Sequence, residues 1–429
     1  MFHKFFILLK KINKNKFYFF FFLFLVEGYY YLKYIRFYNY LNNLQIKHKK
    51  MPFTCIKWLM KSIKKQPNKR LFLNNLYTKE LSNDDIIYKS DVKEFIYSNL
   101  LLKNKSSLKE YDKNIFIQFY DIFKNNIVDD NENIKQDNKS NKIINYSNDS
   151  LTSIYKPIII YGLIKSYRFV KMMEMRFKGY EFDKFNGINI IFNLKKNNKI
   201  PILFFHGLGF GFVPYLYFFE NSNIIAPEIP NLSNSNFTLD TFSLDIYVKS
   251  IIKWLKKKNI YEIDIMGHSF GTIILNYMLG YHKIINPPLL IKIRKKIYLE
   301  PICFNCFSSS IHRVCYSNYK WNFDRKFTSN IKKLLFYYII QKDIYIQATM
   351  KRFINPFEIF EYNIKMNQNT CILLSGRDFI IKSEYLKDYI KKYWRKNVKL
   401  IYNENESHGS ILISKNKHKI KKEIFDFIG

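Results

Sequence analysis

Gly267-His268-Ser269-Phe270-Gly271 is the stretch whose reading decides the fold. It directly follows Tyr261-Glu262-Ile263-Asp264-Ile265-Met266, which reads as a short buried strand, and precedes Thr272-Ile273-Ile274-Leu275-Asn276-Tyr277-Met278, which reads as a helix ending near Gly280. A strand, G-x-S-x-G and a helix together form the context of a nucleophile elbow, in which a tight turn lifts the serine hydroxyl clear of the sheet. Side chains at Gly267 and Gly271 would collide with the neighbouring strand and helix, so glycine is required at both. A bare G-x-S-x-G recurs by chance, and the rest of the chain must supply its partners.

Those partners occur in the expected order. An oxyanion hole needs backbone N–H groups aimed at a developing alkoxide. Phe270, just after the serine, offers one. Leu208 offers the other, in the loop His206-Gly207-Leu208-Gly209-Phe210-Gly211 that follows the strand Pro201-Ile202-Leu203-Phe204-Phe205. Asp378 lies in the exit turn Ser375-Gly376-Arg377-Asp378 of the strand Thr370-Cys371-Ile372-Leu373-Leu374. His408 lies in the polar loop after the strand Lys399-Leu400-Ile401-Tyr402. The order Ser269, Asp378, His408 is that of a Ser–acid–His triad on an α/β sheet. His206 and His268 read as structural histidines of the same motifs.

With these residues in place the chain resembles the α/β-hydrolase superfamily over about residues 186–429. More narrowly, from near residue 70, it resembles a group of membrane-associated fungal and algal hydrolases. The stretches that carry the narrower likeness are Pro201–Gly209, Ala226-Pro227-Glu228-Ile229-Pro230, Gly267–Gly271, Leu299-Glu300-Pro301-Ile302-Cys303-Phe304 and Leu374–Asp378. Some relatives place the acid after the sixth strand, where Glu300 stands, so Glu300 is the alternative acid to Asp378. The resemblance implies a serine hydrolase of esters or thioesters that works through an acyl-enzyme and requires no metal or organic cofactor. Two other readings remain open: an acyltransferase using the same triad, and a silent scaffold that keeps only the fold. An epoxide hydrolase or dehalogenase would carry Asp at position 269.

The substrate class rests on residues 302–368, too long for a plain connection between helix and strand and read as a cap. Lys332–Ile340 and Phe353–Phe360 are rich in aromatic and aliphatic residues, as suits a hydrophobic acyl ester or lipid, although a cap packing its own core would look the same. Cys303 and Cys306, with His312 and Cys315, have zinc-ligand types. The first pair falls where the strand exits into the cap, and the reading adopted is no metal. Five cysteines over 429 residues provide no disulfide framework.

Seventy Lys and Arg against 35 Asp and Glu leave a net charge of +35. The lysines are scattered over every element, and no nucleic-acid-binding motif accompanies them, so an anionic membrane face is the expected partner rather than nucleic acid. Phe17–Val26 is a wholly apolar run of ten preceded by Lys10, Lys11, Lys14 and Lys16. Ten residues are too few to span a bilayer, but residues 17–35 would be long enough, and no small-residue cleavage site follows. The expected organisation is a hydrophobic membrane anchor over 1–50, a helical extension over 51–128, a disordered polar insertion over 129–150, a helix leading into the core over 151–185, and the hydrolase domain over 186–429.

Within that domain strands are expected at 188–194, 201–205, 223–227, 261–266, 296–300, 370–375 and 397–402. Helix 241–257 buries Leu244, Tyr247, Val248, Ile251, Ile252 and Leu255 at helical spacing. Helix 383–394 is expected to start at Ser383 as N-cap. Helix 416–428 buries Ile420, Ile424, Phe427 and Ile428. Alternating helices and short apolar strands imply an α/β fold, a mostly parallel sheet covered by helices on both faces.

Overall fold

A computed structural model of the chain describes residues 14–44, 85–101, 110–129, 149–195, 199–233, 243–284, 291–305, 336–353, 368–394 and 398–429, with isolated positions elsewhere. Its helices are α1 (Lys14–Asn43), α2 (Lys89–Phe95), α3 (Glu110–Phe123), α4 (Ile158–Phe177), α5 (Leu244–Lys257), α6 (Gly271–Ile284), α7 (Ile344–Ala348), α8 (Ser383–Tyr393), α9 (Ser410–Ile413) and α10 (Lys417–Ile428). Its strands are β1 (Glu181–Phe185), β2 (Ile188–Asn193), β3 (Ile202–Phe205), β4 (Ile224–Pro227), β5 (Glu262–His268), β6 (Lys292–Leu299), β7 (Thr370–Ser375) and β8 (Lys399–Asn403). The strands form one sheet in the order β1-β2-β4-β3-β5-β6-β7-β8. β4, β3 and β5 to β8 run parallel, and β1 and β2 form an antiparallel edge. This is the α/β-hydrolase fold, as the sequence implied.

Successive side chains of a strand point to opposite faces, and here each face has its own core. Leu203, Phe205, Ile263, Ile265, Ile372 and Leu374 join a cluster with residues of α5, α6 and α8. Phe204, Met266, Leu299 and Leu373 join one with α10 and the segment Phe212–Phe219. The six expected apolar positions of α5 are all buried. In α10, Ile420, Ile424 and Ile428 are buried and Phe427 is partly so. Phe95 and Ile96, and Phe119 and Phe123 of α3, share the cluster of α5 and α6, so the helical extension is continuous with the sheet's core.

Several expectations need correction. Residues 181–185, expected only as part of the 151–185 lead into the core, form β1. Asn186 and Gly187 both have positive φ (48° and 79°) and turn β1 back onto β2, the conformation an Asn-Gly hairpin turn requires. β6 starts at Lys292 rather than 296 because Arg294 forms an ion pair with Asp264 of β5 (2.5 Å) and donates to the Ile428 carbonyl (2.9 Å). Ser383 is the first residue inside α8 rather than its N-cap, a place taken by Lys382. The spanning expectation for 17–35 also fails: among the described residues no helix is long and apolar enough to cross a membrane. Glu27, Lys33 and Arg36 interrupt the apolar run of α1. Its C-terminal half packs on the body, with Leu41 buried against Leu151, Ile344 and Ala348 and flanked by Tyr34, Phe37 and Tyr38. Cys306, His312 and Cys315, most of 129–150, and 306–333 and 354–367 of the cap lie outside the described residues.

Candidate active site

Ser269 stands at the turn between β5 and α6 with φ +50°, a left-handed conformation that non-glycine residues seldom adopt. The surrounding packing enforces it. A Cβ at Gly271 would lie 2.0 Å from the Phe205 carbonyl oxygen, and one at Gly267 would lie 2.7 Å from that of Gly271. The Ser269 amide donates to the Leu299 carbonyl (2.9 Å), which pins the turn to the end of β6.

His408 arrives from the loop after β8. Its Nε2 lies 2.9 Å from Ser269 Oγ, and its Nδ1 lies 2.7 Å from Asp378 Oδ2. The other Asp378 oxygen accepts the Ile380 and Ile381 amides (2.7 and 2.9 Å), so the carboxylate is held from both sides. Burial works against the charged imidazole of His408. The Asp378 carboxylate, through its charge and its hydrogen bond, with a contribution from Glu300, outweighs that and pushes the pKa up to about 9.

The structure brings Ser269, His408 and Asp378 together and gives Glu300 a different place. Glu300 is fully buried with φ +47°, and it makes no hydrogen bond to the His408 ring. Its carboxylate accepts from His268 Nε2 (3.0 Å), Ser375 Oγ (2.5 Å), the Gly409 amide (2.5 Å), the Ser410 amide (3.0 Å) and Ser410 Oγ (2.7 Å). Burial opposes its ionisation, but the His268 hydrogen bond, the charges of His408 and His268 and the Ser375 hydroxyl hold it well below the usual carboxylate range. The network continues on the other side of His268, whose Nδ1 is 2.6 Å from Tyr215 Oη, which in turn accepts the Gly207 amide (3.1 Å). One polar chain therefore joins the Gly207 loop, the residue before Ser269 and the loop that carries His408. Sequence reasoning missed Tyr215, Ser375 and Ser410, because a single Tyr among 34 and two serines at the ends of β7 and α9 carry no motif. Atoms of His268, Glu300 and His408 lie within 4.8 Å of one another, yet each is already engaged in these hydrogen bonds.

The loop 206–211 is fixed just as closely. His206 is buried, bonding the Gly207 carbonyl through Nδ1 (2.7 Å) and accepting the Ile229 amide at Nε2 (3.0 Å). Burial lowers its pKa to about 4, and burial also lowers that of His268. Arg168, from the inner face of α4, bonds the Phe210 carbonyl (3.1 Å) and forms a buried ion pair with Glu228 (2.5 Å), which accounts for Glu228 in the Ala226–Pro230 stretch. Gly209 has φ +118°, and a Cβ there would press on Ile340 at 3.0 Å. Beside this loop a narrow cleft is lined by Leu208, Phe336, Ile340, Ile346 and Met350, with Gln341 and Gln347. Phe336 packs on Phe379 (5.6 Å between ring centres), which packs on His408 (6.0 Å), so the cleft and the histidine share a wall.

No family model matches the chain, and no curated protein does. Among solved structures it is similar to a membrane phospholipase A described as a bacterial virulence factor, at 14% identity over 62% of this chain and 90% of that one, with a TM-score of 0.41. It is similar to a serine hydrolase from the polyaromatic hydrocarbon-degrading bacterium Cycloclasticus zankles, at 18% identity over 58% and 97%, with a TM-score of 0.39. It is also similar to the naproxen esterase of Bacillus subtilis, at 12% identity over 58% and 91%, with a TM-score of 0.38. At these values the chemistry proposed below rests on the side-chain geometry of this chain.

Proposed function

We propose that the chain is a serine hydrolase that cleaves a carboxylic ester or thioester with a hydrophobic acyl group. The observation that carries this reading is the Ser269–His408–Asp378 alignment, with its two contacts of 2.9 and 2.7 Å. His408 Nε2 takes the Ser269 proton as Oγ attacks the substrate carbonyl. Asp378 holds Nδ1–H and stabilises the imidazolium. The Phe270 and Leu208 amides receive the oxyanion, each contributing about 3–4 kcal/mol to the transition state. The tetrahedral intermediate expels the alcohol or thiol, which takes the proton from His408 Nε2. Water, deprotonated by the same nitrogen, then attacks the acyl-enzyme; the acid leaves and Ser269 regains its proton. The apolar wall of the cleft favours an acyl chain.

Fluorophosphonate labelling of the purified chain tests this reading. Wild type is expected to label and Ser269→Ala to lose the label. A folded wild type that does not label, even with lipid or detergent present, would leave the fold as a scaffold.

A further inference from the structure

α4 is apolar on two opposite faces. Ile164, Arg168 and Met175 point inward and are buried. Ile159, Leu163, Val170 and Phe177 are exposed, and at 100° per residue they fall in one stripe on the other side. A surface helix normally turns polar residues outward. Here Lys165 and Arg176 flank the stripe on one side and Lys171 and Lys178 on the other. The helix's single acid, Glu174, is neutralised by Lys171 (2.7 Å) and Lys178 (3.0 Å). An apolar stripe between two basic rows is the pattern of a helix lying in a lipid headgroup region, with long cationic side chains reaching out to phosphates.

The N-terminal half of α1 adds a second apolar surface. Phe22, Leu23, Phe24 and Leu25 are consecutive and exposed at 61%, 42%, 73% and 54%. Four consecutive residues sweep about 300° around a helix. A groove on a folded protein covers one side of a helix; a surface apolar nearly all round calls for a medium that surrounds it. The two surfaces meet at one junction, where Glu27 of α1 accepts the Tyr155 hydroxyl and the Ile158 amide at the start of α4 (3.1 Å). The acid that interrupts the apolar run thus caps the second helix.

We propose that the chain docks on one leaflet of an anionic bilayer through the N-terminal half of α1 and the outward stripe of α4, without crossing it. From the end of the apolar run at Val26 back to Phe17, α1 extends about 15 Å at 1.5 Å per residue, half the hydrocarbon thickness of a bilayer. The docked face of α4 lies opposite Arg168, so the loop that Arg168 grips is about one helix diameter, roughly 10 Å, from the lipid. This docking does not depend on the esterase reading.

The experiment is flotation of the full chain with phosphatidylcholine vesicles, with and without phosphatidylglycerol, comparing wild type, Phe22→Asp/Phe24→Asp and Leu163→Asp/Val170→Asp. The altered residues are exposed, so melting curves should match wild type, which separates docking from folding. Binding is expected to need phosphatidylglycerol, to weaken with salt, and to fall at least about tenfold in each double variant. Wild-type binding by the Leu163/Val170 variant would overturn the role of α4. Protection of the N-terminal lysines from trypsin added outside sealed vesicles would overturn docking on one leaflet in favour of a span. A dimer in solution that this variant abolishes, with no vesicle binding by wild type, would overturn the proposal in favour of a second copy as the occupant.

Discussion

Glu300 accepts five hydrogen bonds from four residues, two of them immediately after His408. Its role follows from that arrangement: it fixes the loop from which the imidazole projects while leaving the ring to Asp378. Asp378→Asn should present the wrong tautomer to Ser269 and reduce kcat on the order of 10⁴-fold. Glu300→Gln removes a charge-assisted acceptor, and kcat should fall about 10- to 100-fold with KM little changed. The decisive readout is the pH profile. With the His408 pKa pushed up to about 9, kcat/KM should still be rising between pH 7 and 9, because only the neutral imidazole can accept the Ser269 proton. Removing the Glu300 charge should move that limb to lower pH. Turnover abolished in Glu300→Gln but retained in Asp378→Asn would exchange the two roles. Ser269, Asp378 and His408 were legible in the sequence because each follows a recognisable strand. The position of Glu300 was legible as that of an acid, but its partners were not: hydrogen bonds to backbone amides leave no residue pattern to read.

Among the elements, those defined by hydrophobic period were readable and those defined by partners were not. α5 and α10 announce their buried faces by spacing. β1 is the opposite case: Glu181-Phe182-Asp183-Lys184-Phe185 is held at the sheet edge by tertiary contacts, such as Trp254 Nε1 donating to Asp183 (2.9 Å). Only the Asn186-Gly187 pair, a hairpin-turn sequence, marks it. The segment 336–350 places Phe336, Ile340, Ile346 and Met350 along the cleft. If that cleft takes the acyl chain, Ile340→Trp should shorten the preferred chain in a series of p-nitrophenyl esters, with activity on the acetyl ester retained. A uniform loss across the series would mean that the substitution had disturbed the Gly209 loop instead.

At the scale of the whole molecule, buried histidines set opposing limits on pH stability. His206 is held neutral, with a pKa lowered from 6.5 to about 4. Its contribution is complete above about pH 6.5 and is lost as pH falls toward 4, because the unfolded chain binds a proton that the folded chain refuses. His408 is the reverse case: its contribution is complete below about 6.5 and is lost as pH rises toward 9. Thermal melts should therefore peak near pH 6.5, and His408→Gln should flatten the alkaline side selectively. The mostly parallel character of the sheet was foreseeable from the alternation of strands and helices. The fate of the N-terminal helix was not, since hydropathy reports how apolar a segment is and not what it touches.

α1 joins the body by more than its apolar residues. The Leu41 carbonyl accepts Arg352 Nε (3.2 Å), Asn42 Oδ1 accepts the Leu151 amide (2.8 Å), and Tyr38 Oη donates to the Leu151 carbonyl (2.9 Å). Arg352 and Lys351 lie just beyond the helix that lines the cleft. Anyone expressing this protein would be tempted to delete its first 43 residues as a greasy leader. The shortened chain would lose the floor beneath α7 and an acceptor for a buried guanidinium, so poor yield or low turnover from such a preparation would reflect the trimming rather than the enzyme.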